Sequence, residues 1–186
     1  KAEIDGDMNP AHIVRECLTD IDWGMGYVGA DVDDASFEAA ADTLHAEGFG
    51  MSLLWDKAMP LNEFIGEVLR HIDGSLFVDR TTGKFRLTLA RGGYDRSTLT
   101  ILDEESIVRI TDFKREAVGD LTNSVTVTYW DGSTGADGSV TVQDIALVGS
   151  QGVTIGTKNE YPGITKGELA SRVASRDLRS LSVPLA

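Results

Sequence analysis

The chain has 186 residues, of which 41% are hydrophobic and 25% are charged. This composition is typical of a globular protein and excludes an intrinsically disordered chain. The formal net charge is −13. The excess of acidic residues lies in residues 1–79, which contain 17 acidic and 4 basic residues. A surface of that sign repels phosphate backbones, so direct nucleic-acid binding is not expected.

Three further features restrict the class of protein. No apolar run approaches the roughly 20 residues that a membrane-spanning helix needs, so no membrane segment is expected. The single cysteine, Cys17, excludes an intrachain disulfide, and its place among helically spaced apolar residues favours a buried hydrophobic role over a catalytic thiol. The chain starts with lysine and its last six residues resemble the start of an extended segment, which predicts an excerpt of a longer protein.

The first predicted element is a helix that ends in a loop of glycines and aromatic residues. Asn9 suits the N-cap and Pro10 the first helical position, where no backbone N–H is needed. Residues 23–27 (WGMGY) form the loop, in which glycines free the backbone and the aromatic side chains are large anchors. One apolar stripe is predicted along the helix, at Ile13, Val14, Cys17, Leu18 and Ile21.

Two more helices precede a β-hairpin. Asp33 is the predicted N-cap of a second helix over residues 34–46, with Val32 and Phe37 as a hydrophobic staple and Gly48 as the stop signal. The following elements are predicted as a short strand over 49–55, a third helix from Pro60 to Ile72, and hairpin arms over 76–79 and 85–90.

The composition of residues 91–95 predicts a linker, after which the composition favours strands.

The last predicted element is a helix, for which Thr165 and Glu168 form a capping box. Residues 131–139 are rich in turn formers and predict a surface loop. The strand candidates are residues 107–113, 124–130 and 140–148, and the apolar stripe of the last helix comprises Leu169, Ala170, Val173, Ala174 and Leu178.

The opening segment, residues 9–26 (NPAHIVRECLTDIDWGMG), resembles a helix and elbow of phage tail-tip attachment proteins of the J type. These proteins are related to the trimeric hubs of phage baseplates. The order of the later elements extends the resemblance over roughly residues 9–183, including the strand at residues 121–131 (LTNSVTVTYWD). The tract 145–156 departs from the family pattern, which has an aromatic-glycine corner there.

We therefore predict an α+β fold in two cooperating parts after a polar lead-in at residues 1–8. Residues 9–91 form helices packed on a small antiparallel sheet. Residues 96–186 form a β-rich, split-barrel-like part with a C-terminal helix. The resemblance implies a structural hub of a phage or prophage tail, located in the virion tail after assembly in the bacterial cytoplasm. Its implied partners are other tail proteins and copies of itself in a threefold ring, with the acidic first half partly lining a central lumen.

Five large side chains are the candidate interface residues: Trp23, Met25, Tyr27, Trp55 and Trp130. Large aromatic side chains are typical anchors of cores and interfaces. The three tryptophans are well separated in the sequence, whereas a sugar-binding platform would cluster them. We expect the loop at residues 23–26 to pack at a domain or subunit boundary.

No catalytic, cofactor-binding or metal-binding residues are predicted, and no cofactor is expected. Residues 24–29 match G-x-G-x-x-G, but a helix precedes them where a dinucleotide site needs a strand. His12, His45 and His71 lack the local spacing of a zinc site. Two alternatives stay open: a host-receptor-binding module, which needs an exposed aromatic or apolar patch, and a tail-associated cell-wall hydrolase, which needs converging carboxylates in a cleft.

Overall fold

A computed structural model describes residues 1–55, 58–92, 94–111 and 115–183. Helices and small sheets alternate along the chain, which confirms the α+β class. The helices are α1 (Pro10–Thr19), α2 (Asp34–Ala46), α3 (Leu61–Ile72), α4 (Ile145–Gln151) and α5 (Gly167–Leu181). The strands are β1 (Glu3–Ile4), β2 (Asp7–Met8), β3 (Gly74–Val78), β4 (Phe85–Leu89), β5 (Ser124–Asp131), β6 (Ala136–Gln143) and β7 (Gly156–Tyr161).

Helix α1 begins where the capping signals predict. The Asn9 side chain accepts a hydrogen bond from the Ala11 N–H at 3.1 Å and donates its amide to the Ala41 carbonyl at 2.9 Å. One buried side chain therefore caps α1 and fastens it to α2. The prediction that Ile21 lies on the apolar stripe is wrong, because the helix ends at Thr19 and leaves Ile21 exposed.

Helix α2 also has its predicted bounds, and Val32 and Phe37 are buried as a staple requires. The Asp33 side chain makes no capping hydrogen bond; its carboxylate pairs with the Arg86 guanidinium at 3.1 Å instead. Gly48 ends the helix with φ of +62°, the left-handed conformation that favours glycine. The hairpin β3–β4 follows α3 in antiparallel register, as predicted.

The strand predicted over residues 49–55 is wrong. Met51 forms one isolated antiparallel bridge with Met8, and the next amide, that of Ser52, donates to the Gly163 carbonyl at 3.0 Å. Successive amides thus bind two different parts of the chain, so no ladder of strand hydrogen bonds develops.

The second half differs from the sequence prediction around the strand β6. This strand begins at Ala136, inside the predicted loop, and ends at Gln143, before the predicted end of the strand. Asp144 then caps α4 by accepting the Leu147 N–H at 3.0 Å, so residues 145–148 are helical. Strand β7, which was not predicted, pairs in parallel with β5.

The strand predicted over residues 107–113 is also wrong in its described part. Residues 107–111 form no strand and are exposed, while residues 112 and 113 lie outside the described residues. Strand-forming side chains do not form a strand unless a neighbouring strand satisfies their backbone groups.

Helix α5 buries its predicted apolar stripe, but the capping box is wrong. Lys166 occupies the N-cap position, and the Thr165 hydroxyl donates to the Asp7 carboxylate at 2.7 Å. The sheet has the order β6-β5-β7 and is open at both edges among the described strands, so the split-barrel character is not confirmed.

One hydrophobic core unites the two predicted parts. Val14, Leu44 and Val68 of the first half belong to the same buried cluster as Val127 and Val173 of the second half. Hydrogen bonds also cross between the two parts, because Arg172 of α5 donates to the Glu47 carbonyl at 2.6 Å and Arg176 donates to the His71 carbonyl at 2.7 Å. Packing therefore fixes β5 and α5 against the helical layer.

Candidate interface

The loop at residues 20–27 folds back onto the end of α1. The Cys17 carbonyl accepts the Met25 N–H at 2.9 Å, and the Leu18 carbonyl accepts the Tyr27 N–H at the same distance. The last carbonyls of a helix have no partner within the helix, and here the loop supplies them. The loop is thus held by the backbone and presents its side chains outward.

Asp20 fixes the start of this loop. Its carboxylate accepts the N–H of Trp23 at 2.9 Å and that of Asp22 at 2.8 Å. These two backbone donors hold the pKa of Asp20 below its ordinary value. The turn therefore stays formed while Asp20 is ionised.

Gly24 and Gly26 are needed for different reasons. A Cβ on Gly24 would lie 2.7 Å from the Asp20 carbonyl oxygen and 2.9 Å from that of Cys17. Gly26 has φ of +71°, which side chains of L-residues disfavour. The spacing of the two glycines is therefore a geometric requirement of this turn.

Four of the five predicted interface residues lie on or beside the loop. Trp23 is 49% exposed, and Met25, Tyr27 and Trp55 are also exposed. The Trp23 and Trp55 ring centroids are 6.4 Å apart, edge to face, and Trp55 stacks on Phe64 at 4.6 Å. We name Trp23, Met25, Tyr27 and Trp55 the elbow surface.

Tyr27 contacts the hairpin strand β4. The centroid of its ring lies 4.7 Å from the ring centroid of Phe85, and the two rings are edge to face. Sequence reasoning missed three exposed apolar neighbours in the same segments, Ile21, Val28 and Leu54. The sequence predicts Ile21 on the apolar stripe of a helix and Leu54 in a strand, and neither prediction indicates that the side chain is exposed.

Trp130 belongs to a different surface. Side chains alternate along β5, so Trp130 lies on the face opposite the buried Val125 and Val127. It lines an open groove of about 1380 Å³ between this sheet face and residues 51–54. We name this the sheet groove. Its lining includes the apolar side chains of Met8, Leu53, Leu54 and Trp130 and the charged side chains of Asp137, Lys158 and Glu160, of which Lys158 and Glu160 form an ion pair at 3.6 Å.

A buried histidine was not identified from the sequence. His71 is fully buried, its Nδ1 donates to the Glu67 carbonyl at 2.8 Å, and its Nε2 accepts the Gly163 N–H at 3.1 Å. This pattern assigns the neutral tautomer with the proton on Nδ1. Burial lowers the pKa of His71 to about 4, so the ring is neutral at pH 7.

Polar groups around His71 bind one another. The Tyr161 hydroxyl donates to the Asp177 carboxylate at 2.7 Å, and Arg176 donates to the His71 carbonyl at 2.7 Å. Burial and the nearby Asp177 raise the pKa of Tyr161 to about 12. Arg70 stacks over the Tyr161 ring, 4.3 Å from its centroid. These contacts link α3, β7 and α5, and their geometry is that of a structural network.

Within the four described ranges, no group of three or more His, Cys, Asp or Glu side chains is arranged to hold a metal ion. In the same part of the chain, no helix combines the length and the apolar character needed to cross a membrane.

Comparison with known proteins gives no family assignment. A scan against protein-family models finds no match for the chain, and a search of curated proteins finds none either.

Proposed function

We propose that the chain is a structural component of a phage or prophage tail tip or baseplate hub. In this role it joins the tail tube to a host-facing fibre or spike and assembles as a threefold ring with copies of itself. The support is the resemblance of residues 9–26 and of the later element order to J-type tail-tip proteins. The proposal places the mature protein in the virion tail and assigns it no catalytic activity.

The elbow surface is the observation that carries the proposal. Trp23, Met25 and Tyr27 are exposed although the loop that bears them is fixed by backbone hydrogen bonds and two required glycines. A rigid loop with exposed aromatic side chains loses little conformational entropy on binding, and tryptophan and tyrosine are enriched among interface hot spots. These properties suit a surface that holds a neighbouring protein.

The acidic first half has a separate role in the proposal. The excess of 13 negative charges lies in residues 1–79, and a negative wall lets DNA slide through a lumen without binding. In a reconstruction of the assembled tail, we expect acidic side chains of this half to face the axis. An even spread of these side chains over the assembly, with none toward the axis, would contradict the lumen role.

Incorporation into tails tests the structural role. The gene is replaced by wild type, Trp23→Ala or Ile145→Ala in its own host, and purified tails are analysed by mass spectrometry. Ile145 is exposed on α4, outside the elbow surface, and serves as the matched control. We expect wild type and Ile145→Ala in the tails, and a loss of roughly tenfold or more for Trp23→Ala, as for an interface anchor.

Two results would count against the role. One is the absence of the wild-type chain from purified tails. The other is normal incorporation of Trp23→Ala together with a loss of under about 1 kcal/mol in unfolding free energy, since neither assembly nor folding would then depend on the anchor.

The exposed elbow surface also favours a second candidate, a receptor-binding module of the tail. Such a module needs an exposed aromatic or apolar patch, and Trp23 and Trp55 provide one. Binding of fluorescently labelled wild-type protein to host cells, lost in Trp23→Ala, would support this candidate over the hub role.

A further inference from the structure

The open face of the sheet β6-β5-β7 carries polar side chains around Trp130. In the strand register, Trp130 of β5 pairs with Asp137 of β6. Thr128 of β5 pairs with Ser139 on one side and with Glu160 of β7 on the other. Residues that pair in register lie on the same face of a sheet. All five also line the sheet groove, so together they form its floor.

The opposite wall of the groove is mostly apolar and comes from residues 51–54 and α3. Leu54 in this wall is 81% exposed. Phe64 also lines the groove, and its ring stacks on Trp55 with 4.6 Å between the centroids. The tertiary structure therefore gathers, in and beside one groove, aromatic side chains that are far apart in the sequence.

The floor of the groove offers both donors and acceptors of hydrogen bonds. The Asp137 carboxylate accepts, the Lys158 ammonium group donates, and the hydroxyls of Thr128 and Ser139 can do either. Lys158 and Glu160 form an ion pair at 3.6 Å, but their side chains remain 60% and 75% exposed. Both can therefore also reach a ligand. The groove suits a ligand that combines an apolar face with groups that donate and accept.

The size and the charge of the groove restrict this ligand further. Its volume of about 1380 Å³ exceeds the roughly 300–1,000 Å³ of a typical small-molecule pocket. The charged residues of its lining are two acids and one base, Asp137, Glu160 and Lys158. A groove with this excess of negative charge, in a chain of net charge −13, repels acidic ligands.

We propose that the sheet groove binds a neutral oligosaccharide. A sugar ring has an apolar face of C–H groups, which can stack on Trp130, and a rim of hydroxyls, which can bind Asp137 and Ser139. An extended peptide fits this floor less well, because its backbone groups need the edge of a sheet rather than its face. The proposal goes beyond the structural role in the tail and does not depend on it.

Isothermal titration calorimetry of the purified chain with hexasaccharides tests the proposal. The neutral probes are maltohexaose, cellohexaose and chitohexaose, which differ in linkage and in the acetamido group. At least one of them is expected to bind with a dissociation constant of about 1 mM or tighter. The acidic probe, hexagalacturonate, is expected to show no binding in this range, because the groove repels its carboxylates.

Substitution of Trp130 then locates the site. Trp130→Ala is expected to raise the dissociation constant roughly tenfold or more, because it removes the stacking surface. Trp130→Phe keeps an aromatic ring and should retain most of the affinity. Trp23→Ala is the matched control, since Trp23 is 49% exposed and Trp130 is 47% exposed, but Trp23 does not line the groove. Circular dichroism checks that each variant is folded.

A second pair of variants tests the polar part of the floor. Asp137→Ala removes an acceptor for sugar hydroxyls and should weaken binding roughly tenfold, as for a hydrogen bond to a charged group. Asp22→Ala changes an exposed acid outside the groove and should leave the affinity unchanged.

Three results would overturn the proposal: no binding of any neutral probe at about 1 mM or tighter, a Trp130→Ala protein that binds like wild type, or hexagalacturonate bound at least as tightly as the neutral probes. A groove that instead holds a protein segment would give the first result. The tail role can fail separately. A chain that enters tails but binds no sugar overturns only the sugar site, and a sugar-binding chain that is absent from tails overturns only the tail role.

Discussion

Individual residues decide the shape of the elbow, and Gly24 has the strictest requirement. A methyl group there would meet two carbonyl oxygens at 2.7 and 2.9 Å, well inside normal contact. Both carbonyls belong to residues that hold the loop, Asp20 and Cys17. The substitution must therefore shift the loop backbone.

We expect Gly24→Ala to reduce the free energy of unfolding by about 1–3 kcal/mol, because the backbone cannot yield without losing hydrogen bonds. Urea unfolding followed by circular dichroism measures the change. Gly29→Ala is the control, since a Cβ at Gly29 meets nothing within 4 Å, and it should change stability by less than about 0.5 kcal/mol. Equal effects of the two substitutions would argue against the tight turn.

Cys17 gives a second prediction at this scale. Burial raises the pKa of its thiol to about 11, so at pH 8 about one thiol in a thousand is ionised. Because the thiolate is the reactive form, the native chain should react with a thiol reagent such as DTNB far more slowly than the chain in 6 M guanidinium. Equally fast reaction of both states would contradict the buried position.

At the scale of elements, His71 joins α3 to the segment between β7 and α5. Its Nε2 accepts the Gly163 N–H. Protonation of Nε2 would place a second N–H against that of Gly163 and would bury a positive charge. Arg70 and Arg176 disfavour this proton electrostatically, while the Glu67 carboxylate favours it. The element contact therefore depends on a neutral ring.

Stability should consequently fall as the pH drops from about 6.5 toward 4. The unfolded chain binds a proton at His71 near pH 6.5, but the folded chain does so only near pH 4, so acid favours unfolding within this window. The linkage amounts to roughly 2–3 kcal/mol. Urea unfolding at pH 7 and pH 4.5 measures it.

His71→Gln removes the titrating group, so its stability should vary less with pH in this window than that of wild type. His12→Gln, which changes an exposed histidine of α1, is the control and should keep the wild-type slope. A His71→Gln protein with the full wild-type slope would show that other groups cause the pH dependence.

At the scale of the whole molecule, the shared core and the exposed segment at residues 94–111, which we name the arm, predict a specific response to protease. The arm offers Arg96 and Arg109, both exposed, to trypsin, whereas the halves on either side pack into one cluster of buried residues. Cleavage should therefore occur in the arm first. The two fragments should stay together, because the core between them remains intact.

Denaturing electrophoresis should show two large fragments while size-exclusion chromatography of the same sample shows one folded species. In 6 M urea the fragments should separate, which is the control for a noncovalent association. Fragments that separate without denaturant would indicate two independent domains.

Local interactions explain which elements could be predicted from the sequence. The helices α1, α2, α3 and α5 follow from apolar spacing, and α1 also from its Asn9 cap, since helical hydrogen bonds join residues four apart. The hairpin β3–β4 is local too, because one short turn connects its strands. The burial of Cys17 followed from the same helical spacing.

Interactions between distant residues explain what could not be predicted. Strand β7 has few apolar residues and is a strand because it pairs with β5, whose paired residues lie 32 positions earlier, as in Ser124 with Gly156. Thr165 does not cap α5, because its hydroxyl binds Asp7, 158 positions away in the sequence. The segment 49–55 has strand-forming residues but no continuous partner.

The candidate interface shows the same division. The sequence determined that aromatic side chains and required glycines occur together in the loop after α1, because both follow from residue type and local spacing. Only the tertiary structure decided that Trp23 meets Trp55, that Trp130 belongs to a separate groove, and that the arm remains uncovered. The physical reason is that local hydrogen bonds depend on neighbouring residues, whereas exposure and contact depend on how the whole chain packs.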